Sequence, residues 1–302
     1  GYRGKRVCGM GPPSSGAVAI GQILKLVEPF DLGRGPRAAM NHHAMHLLIE
    51  AQRLAYADRD FHIADPDAVP VPAGLLDGGY LDSRREFIKP RSAMPGAYPG
   101  TPAPAGRAQI GDDDTREAAG TSHVSIVDAA GNAVALTASV EAAFGARIMT
   151  GGFLLNNQLT DFSWRPRDAS GRTAANAVAP GKRPRSSMSP TIVLDERGRL
   201  AYVLGSTGGS GIILYTVQAL VSLIDWQLDA QATAGQLHFG SRGRGVEIEL
   251  DRRTTWHALK LIPYGYRPTP GAQTSGTHIV AVRDGHLEGG ADPRKEGDAR
   301  GD

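Results

Sequence analysis

The chain has 302 residues, of which 41% are hydrophobic and 21% charged, and its formal net charge is +2. These values are typical of a globular protein and exclude wholesale disorder. The nearly balanced charge gives no indication of nucleic-acid or membrane-surface binding, no apolar run is long enough for a membrane span, and a single cysteine excludes an intrachain disulfide.

The first third of the chain shows helical periodicity and then loses it. In residues 36–60 the apolar side chains recur at steps of three and four, which predicts a helix, and a shorter helix is expected over residues 80–88. Residues 91–120 are rich in Pro, Gly and Ala and have no period. Such a long unpatterned stretch inside a compact chain indicates a functional loop or a linker.

After this linker the pattern changes to that of strands. Residues 122–128 and 133–140 alternate around a turn and predict a hairpin, and residues 191–194 and 200–204 predict a second one. Further along we expect a helix at 212–226, strands at 245–250 and 277–283, and a Gly-rich turn at 289–290. This order of elements favours one α/β domain.

Residues 120–123 read Gly-Thr-Ser-His and lie where the linker meets the first predicted strand. A threonine hydroxyl is a weak nucleophile unless a base lies beside it. If the bond before Thr121 is cut, the new α-amino group is that base, because its ordinary pKa of about 7.7–8.0 suits proton transfer near neutral pH. Taken alone, however, a threonine at the start of a strand is usually only a strand residue.

Several motifs follow one another along the chain, at residues 12–16, 50–59, 121–145, 154–162, 180–184, 186–191, 205–210 and 290–294. Together they resemble gamma-glutamyltranspeptidases. The motifs before residue 91 are similar to the last third of that family's large subunit, and those from Thr121 onward to its small subunit. The resemblance implies a proenzyme that cuts itself between Gly120 and Thr121.

The resemblance also implies the site residues. Thr121 matches the catalytic nucleophile, and Ser139 stands where the family has a threonine that hydrogen-bonds it. Gly208 and Gly209 match an oxyanion hole made of backbone N–H groups. The residues implied to bind a glutamyl donor are Glu141, Asn156, Gln158 and Asp161 at its α-amino group, and Ser186 and Ser187 at its α-carboxylate.

The implied activity is γ-glutamyl transfer or hydrolysis on glutathione-like amides, with an amino acid, a peptide or water as acceptor and no metal or organic cofactor. Glu141 replaces an Asn found in many members and also occurs in the branch similar to cephalosporin and glutaryl acylases, so an acylase of the same fold is the first alternative. The second is an inactive, truncated non-enzyme. Gly211 after Ser210, and Gly235 to Leu237, also depart from the family pattern.

The fold implied is the four-layer αββα sandwich of N-terminal nucleophile hydrolases, an α+β arrangement. Residues 1–120 would form the end of the large-subunit region with its linker 91–120, residues 121–302 the small-subunit region, and both together one structural domain, incomplete at the N-terminus. The absent large-subunit region, with an arginine that binds the donor carboxylate, is expected as a partner chain. A periplasmic or secreted location is suggested by the family, and a cytoplasmic one stays open.

Histidines offer two simpler interpretations. His42, His43 and His46 are close in sequence, but without carboxylates at suitable spacing they predict a solvated helix face rather than a metal site. His123 lies near the candidate nucleophile, yet we interpret it as structural and expect its side chain on the opposite face of the strand.

Overall fold

The computed structural model describes residues 1–103, 110–243, 245–251 and 253–301. Its helices pack together on one side of the molecule and supply much of the core, which centres on apolar side chains of the first, second and fourth helices. The helices are α1 (Gly16–Val27), α2 (His42–His62), α3 (Gly78–Arg85), α4 (Ile212–Ile224), α5 (Ala230–Ala234) and α6 (Thr254–Leu261).

The strands are β1 (Arg6–Cys8), β2 (Ile110–Gly111), β3 (Gly120–Val127), β4 (Ala133–Glu141), β5 (Met149–Thr150), β6 (Phe153–Leu154), β7 (Thr173–Ala174), β8 (Thr191–Leu194), β9 (Leu200–Gly205), β10 (Phe239–Gly240), β11 (Glu247–Glu249), β12 (Thr269–Gly271), β13 (His278–Arg283) and β14 (His286–Ala291). The largest sheet is antiparallel, in the order β1-β8-β9-β13-β14. The hairpin β3-β4 forms a separate antiparallel pair.

The hairpin β3-β4 lies against the five-stranded sheet on the side away from the helices, so the layers run helix, sheet, sheet. Its polarity is inverted: the side chains that face the large sheet are polar, whereas the outward side chains are apolar and about half exposed. Those outward residues are Val124, Ile126, Val134 and Leu136. The fourth, helical layer expected over this face has no counterpart in the ranges that the structure describes, so the sandwich is incomplete.

Both hairpins and the helix α4 lie where the sequence predicts them. The helix expected over residues 36–60 begins later, at His42, because Met40 adopts a φ of +59° that interrupts the helix. Asn41 then caps the new start, its side chain accepting a 2.8 Å hydrogen bond from the N–H of Ala44. The short helix expected over residues 80–88 spans Gly78–Arg85 instead.

The prediction of a turn at 289–290 is wrong, because both glycines lie inside β14. The chain turns instead at Gly285, where φ is +80°. Gly290 is required for packing: a Cβ there would lie 2.3 Å from the carbonyl oxygen of Ala230. The glycine therefore marks a close approach between strand and helix rather than a bend. The helix α1 was not predicted, although Ile20, Ile23 and Leu24 have helical spacing.

Candidate active site

Thr121 is the second residue of β3 and lies next to Ser139 of β4. The Thr121 hydroxyl donates a 3.0 Å hydrogen bond to the Ser139 hydroxyl, which in turn donates to the carbonyl oxygen of Gly120 at 3.3 Å. Ser139 also accepts a 2.9 Å bond from the N–H of Glu141. One hydroxyl thus orients the candidate nucleophile and contacts the carbonyl of the bond predicted to be cut.

The backbone around that bond is tightly fitted. The pairing of β3 with β4 shifts register between Gly120 and Thr121, so the bond predicted to be cut lies at an irregularity at the start of β3. A Cβ on Gly120 would lie 2.5 Å from the carbonyl oxygen of Glu141, so only glycine fits there. Glu141 itself has a φ of +73°, and such strain in a residue other than glycine is concentrated at functional sites.

Gly208 and Gly209 form the turn that enters α4, with φ values of +125° and +57°. A Cβ on Gly209 would lie 2.5 Å from the carbonyl oxygen of Ala118, so the linker passes directly over this turn. The turn is fixed from behind, because the Tyr56 hydroxyl donates to the carbonyl of Ser210. Backbone N–H groups here can approach a reacting carbonyl without obstruction by a side chain.

A cluster of acidic side chains is buried beside Thr121. Asp161 is 2% exposed and Glu141 4% exposed. Burial raises the pKa of Asp161, and the neighbouring Glu117 and Glu141 carboxylates raise that pKa further. Burial also raises the pKa of Glu141. The Gln158 amide donates to Asp161 Oδ2, while Asp161 Oδ1 is buried without a hydrogen-bond partner. The cluster therefore favours a cationic ligand.

The guanidinium of Arg59 is buried and contacts the linker at Glu117, shortly before Gly120. Arg59 of α2 donates through Nε to Ser15 Oγ at 2.8 Å and through Nη2 to Ser187 Oγ at 2.5 Å. The same Nη2 is paired with the carboxylate of Glu117, and the two side chains are 3% and 4% exposed. The adjacent N–H of Ala118 donates to Glu141 Oε1.

Two of the expected binding residues do not join these contacts. Asn156 is exposed, and its side chain accepts a local 2.9 Å bond from the N–H of Gln158. Ser186 Oγ accepts from the N–H of Met188 at 3.1 Å, and its contact with the Arg59 cluster is through its carbonyl, which binds Ser15. The structure thus brings Thr121, Ser139, Glu141, Gln158, Asp161, Ser187, Gly208 and Gly209 together with the linker.

His123 has no hydrogen bond to Thr121 among the contacts found. The expectation that it points to the opposite face is wrong, since residues two apart in a strand share a face, and both are buried. Its ring lies 2.8 Å from Thr137 Oγ1 and 3.0 Å from Ser125 Oγ. Burial lowers the pKa of His123 to about 4, so it is neutral at physiological pH. The structural interpretation fits these contacts.

Sequence reasoning missed the groups that hold the linker. Asp113 and Arg185 form a buried 2.7 Å ion pair, and Asn176 donates to Thr115 Oγ1 at 2.8 Å. Arg59 lies within a motif that carries the resemblance, but it was not chosen as a site residue. The available signal for Glu117 was the concentration of acidic residues at 112–117, close to the predicted cleavage site.

The prediction that the histidines of α2 lie on a solvated helix face is wrong for His46, which is buried. His46 lies 2.7 Å from both the Tyr266 hydroxyl and the Lys89 carbonyl oxygen, and His42 lies 3.3 Å from His257. Across the described ranges, no group of three or more His, Cys, Asp or Glu side chains is placed to hold a metal ion. Within those same ranges, no helix has the length and apolar character needed to cross a bilayer.

Comparison with known proteins supports this picture. Residues 1–301 match the family model described as gamma-glutamyltranspeptidase. The chain is 37% identical to the glutathione hydrolase proenzyme of Escherichia coli K12 and 36% identical to the acylase ACY 1 proenzyme of Pseudomonas sp. strain V22, covering 98% of this chain in each case. It spans only about half the length of these relatives, 51% and 50%.

Solved structures agree on the fold. Cephalosporin acylase from Bacillus halodurans superposes with a TM-score of 0.81 at 24% identity, over 99% of this chain and 51% of that one. A gamma-glutamyltranspeptidase chain from Pseudomonas nitroreducens gives a TM-score of 0.51 at 31% identity, over 59% of this chain and 97% of that one. These likenesses confirm the predicted N-terminal nucleophile hydrolase fold.

Proposed function

The chain belongs to the gamma-glutamyltranspeptidase family, and on that premise we propose that it is a proenzyme whose Thr121, once freed by self-cleavage, transfers or hydrolyses γ-glutamyl groups of glutathione-like amides. Water, an amino acid or a peptide accepts the acyl group. The proposal rests on one observation above all: Glu141, whose backbone is paired with Gly120, forms a buried carboxylate pair with Asp161 next to the candidate nucleophile.

This pair favours a γ-glutamyl donor over a glutaryl one. A γ-glutamyl group carries an α-ammonium, whereas a glutaryl group has only hydrogens at that carbon. Burying two carboxyl groups together costs free energy unless a cation or a proton compensates them. An ammonium placed between Glu141 and Asp161 would lower the raised pKa of Asp161 and form charge-assisted hydrogen bonds. A glutaryl chain gives no such compensation.

Self-cleavage would proceed in two balanced steps. First, the Thr121 hydroxyl oxygen bonds to the Gly120 carbonyl carbon and the C–N bond between the two residues breaks. The nitrogen gains the proton that the hydroxyl loses and becomes the α-amine of Thr121, leaving Gly120 as an ester on the Thr121 oxygen. Water then hydrolyses that ester, releasing the Gly120 carboxylate. Ser139 is placed for the first step, because it contacts both the hydroxyl and the carbonyl.

The freed enzyme would repeat this chemistry on a donor. The Thr121 hydroxyl attacks the γ-carbonyl, the α-amine accepts the hydroxyl proton, and the amide nitrogen leaves with a proton. The backbone N–H groups of Gly208 and Gly209 are the candidates to bind the developing oxyanion. Removing one such donor typically slows an acyl transfer by about a hundredfold or more.

Intact mass spectrometry of the purified chain at neutral pH tests the first step. Two fragments divided between Gly120 and Thr121 are expected, and Thr121→Ala should remain a single uncut mass. If the parent chain is uncut, the half of the Escherichia coli relative that this chain does not span is added as a separate chain. A parent that still stays uncut would refute the proposal and favour the alternative of an inactive, truncated non-enzyme.

Comparing two chromogenic anilides tests the substrate. A γ-glutamyl anilide should release its chromophore faster than a glutaryl anilide, and Asp161→Asn should reduce only the γ-glutamyl rate substantially. Faster release from the glutaryl anilide would instead favour the acylase, which the 36% identity to acylase ACY 1 keeps as the second candidate.

We also propose that the outward face of the hairpin β3-β4 binds a chain segment equivalent to the half of the relatives that this chain does not span. The exposed apolar side chains of Val124, Ile126, Val134 and Leu136 support this, since a contiguous apolar strand face is normally covered. The extent of the relatives, about twice this chain, supplies a segment of suitable size.

A further inference from the structure

The linker segment that precedes Thr121 carries a charged group into the protein interior. The Glu117 carboxylate is paired with Arg59 Nη2, and its side chain is only 4% exposed. Burial of a carboxylate is costly unless a partner compensates it. A linker that only had to be flexible would not need a buried charge, and the neighbouring Asp112 is exposed to solvent.

Arg59 is a built anion site rather than a chance partner. Its guanidinium is held by Ser15 at the start of α1 and by Ser187 in the segment before β8, at 2.8 Å and 2.5 Å. Asp60 contacts the remaining Nη1 at 2.6 Å. A fixed guanidinium presents its donors in the geometry that a carboxylate needs.

The linker makes further close contacts next to the pair of Glu117 with Arg59. The N–H of Ala118 donates to Glu141 Oε1, where the proposed function places a substrate ammonium. The carbonyl oxygens of Glu117 and Ala118 lie over Gly209, at 3.2 Å and 2.5 Å from the position a Cβ would take. The carboxylate of Glu117, the N–H of Ala118 and two linker carbonyl oxygens are therefore all held against the protein in the uncut chain.

We propose that Arg59 and Ser187 form a carboxylate subsite that Glu117 fills in the uncut chain and leaves after cleavage. Glu117 is thus a positioning residue, which fixes the linker so that the Gly120 carbonyl reaches Thr121. It also closes the pocket to external donors until the linker leaves. The positioning part of this inference rests on the proposed self-cleavage, whereas the existence of the subsite does not.

Acetate is a suitable probe, because it replaces the carboxylate and adjoining carbon that Glu117→Ala removes. Thermal unfolding is measured in a Thr121→Ala chain, which stays uncut, with acetate against sodium chloride at equal ionic strength. We expect saturable stabilisation by acetate in Glu117→Ala and none with Glu117 present. Asp112→Ala is the matched control, and it should respond like the parent.

Combining Glu117→Ala with Arg59→Met should abolish the acetate response. If that double variant does not fold, Ser187→Ala takes the place of Arg59→Met, and the half-saturating acetate concentration should rise severalfold. An acetate response that is equal in all variants, or absent from Glu117→Ala, overturns the subsite.

The cleavable chain supplies the positioning test. Glu117→Ala should slow appearance of the two fragments by about tenfold or more, since small misplacement of reacting groups is costly. Acetate should stabilise the fold of Glu117→Ala without restoring its cleavage, because acetate is not attached to the linker, whereas a rate lost only through instability would recover with acetate. Asp112→Ala should cleave normally. Unchanged cleavage of Glu117→Ala overturns the positioning role.

Failure of the proposed function and failure of the subsite give different results. If no variant cleaves, the proposed function fails, and the acetate titration of the uncut chain still decides whether the subsite exists.

Discussion

At the scale of single residues, the Ser139 hydroxyl contacts both groups that must react, the Thr121 hydroxyl and the Gly120 carbonyl. It accepts from the Thr121 hydroxyl and donates to the Gly120 carbonyl oxygen. We predict that Ser139→Ala slows self-cleavage by about a hundredfold, because it removes both the orienting acceptor and a donor to the developing oxyanion. Ser139→Thr, which keeps the hydroxyl, should retain most of the rate.

The measurement is a time course of intact mass. Ser122→Ala is the matched control, since Ser122 is the exposed neighbour of Thr121 on the same strand. Equal cleavage of Ser139→Ala and Ser122→Ala would show that the Ser139 hydroxyl has no part in the reaction.

The Asp161 carboxyl should make the stability of the uncut chain depend on pH. Its pKa is raised in the folded state by burial and by the Glu117 and Glu141 carboxylates. The folded state therefore holds a proton that the unfolded state has lost, and stability falls as pH rises from the ordinary carboxyl pKa of about 4 towards the folded value. Asp161→Asn carries no charge, so we predict a smaller fall over this window.

Melting temperatures of Thr121→Ala chains with and without Asp161→Asn, measured from pH 5 to 9, test this prediction. Asp195→Asn is the control: the N–H of Arg199 lowers the pKa of Asp195, so the stability this carboxylate contributes is lost only as pH falls below about 4, and Asp195→Asn should run parallel to its parent from pH 5 to 9. Parallel curves for Asp161→Asn and its parent would contradict the assignment.

At the scale of elements, local pattern determined what the sequence could predict. The two hairpins and α4 have clear periodicity, and the structure has all three. The motif residues around Thr121, Glu141 and Gly209 also come together, because the resemblance identified them as a set. What periodicity could not reveal was the linker's path, since Glu117 and Arg59 are 58 residues apart and meet only through tertiary folding.

Glycine in strands was the other source of error. The pair at 289–290 reads as a turn, yet in β14 it allows α5 to pack closely, with Gly290 against the backbone of Ala230. Sequence alone does not distinguish a glycine required by φ from one required by a neighbouring element. The distinction depends on the contact, which only the folded chain provides.

The close contact between Gly290 and the backbone of Ala230 predicts that a methyl group added at residue 290 destabilises the fold. Gly290→Ala would place its Cβ 2.3 Å from the Ala230 oxygen, a backbone atom that cannot rotate away. We expect a loss of roughly 1–3 kcal/mol in the free energy of unfolding, as for other overpacked sites. Gly271→Ala is the control, because no atom lies within 4 Å of its Cβ position, and denaturant unfolding of both variants measures the difference. Equal stabilities would show that α5 can shift freely.

At the scale of the whole molecule, the polarity of the hairpin decides how the layers assemble. The inward side chains of β3 and β4 are polar because they form the site, as Thr121, His123 and Ser139 show. The apolar side chains are therefore left on the outside, where the segment proposed above would cover them. Because the site lies between the hairpin and the large sheet, the face of the hairpin that would usually be apolar is polar, and its apolar face is the outer one.

Charge on that outer face should weaken association without disturbing the fold. Leu136 and Leu287 are both strand leucines, 56% and 54% exposed, but only Leu136 lies on the apolar face of the hairpin. Burying a lysine ammonium in an interface is costly, so Leu136→Lys should reduce self-association and binding of the complementary half. Leu287→Lys, the matched control, should change neither. Because both sites are exposed, the free energy of unfolding should change by less than about 0.5 kcal/mol.

Sedimentation velocity over a concentration series, with and without the complementary half, measures self-association and binding of that half. An equal response of the two variants would mean that general surface charge, rather than this face, controls assembly.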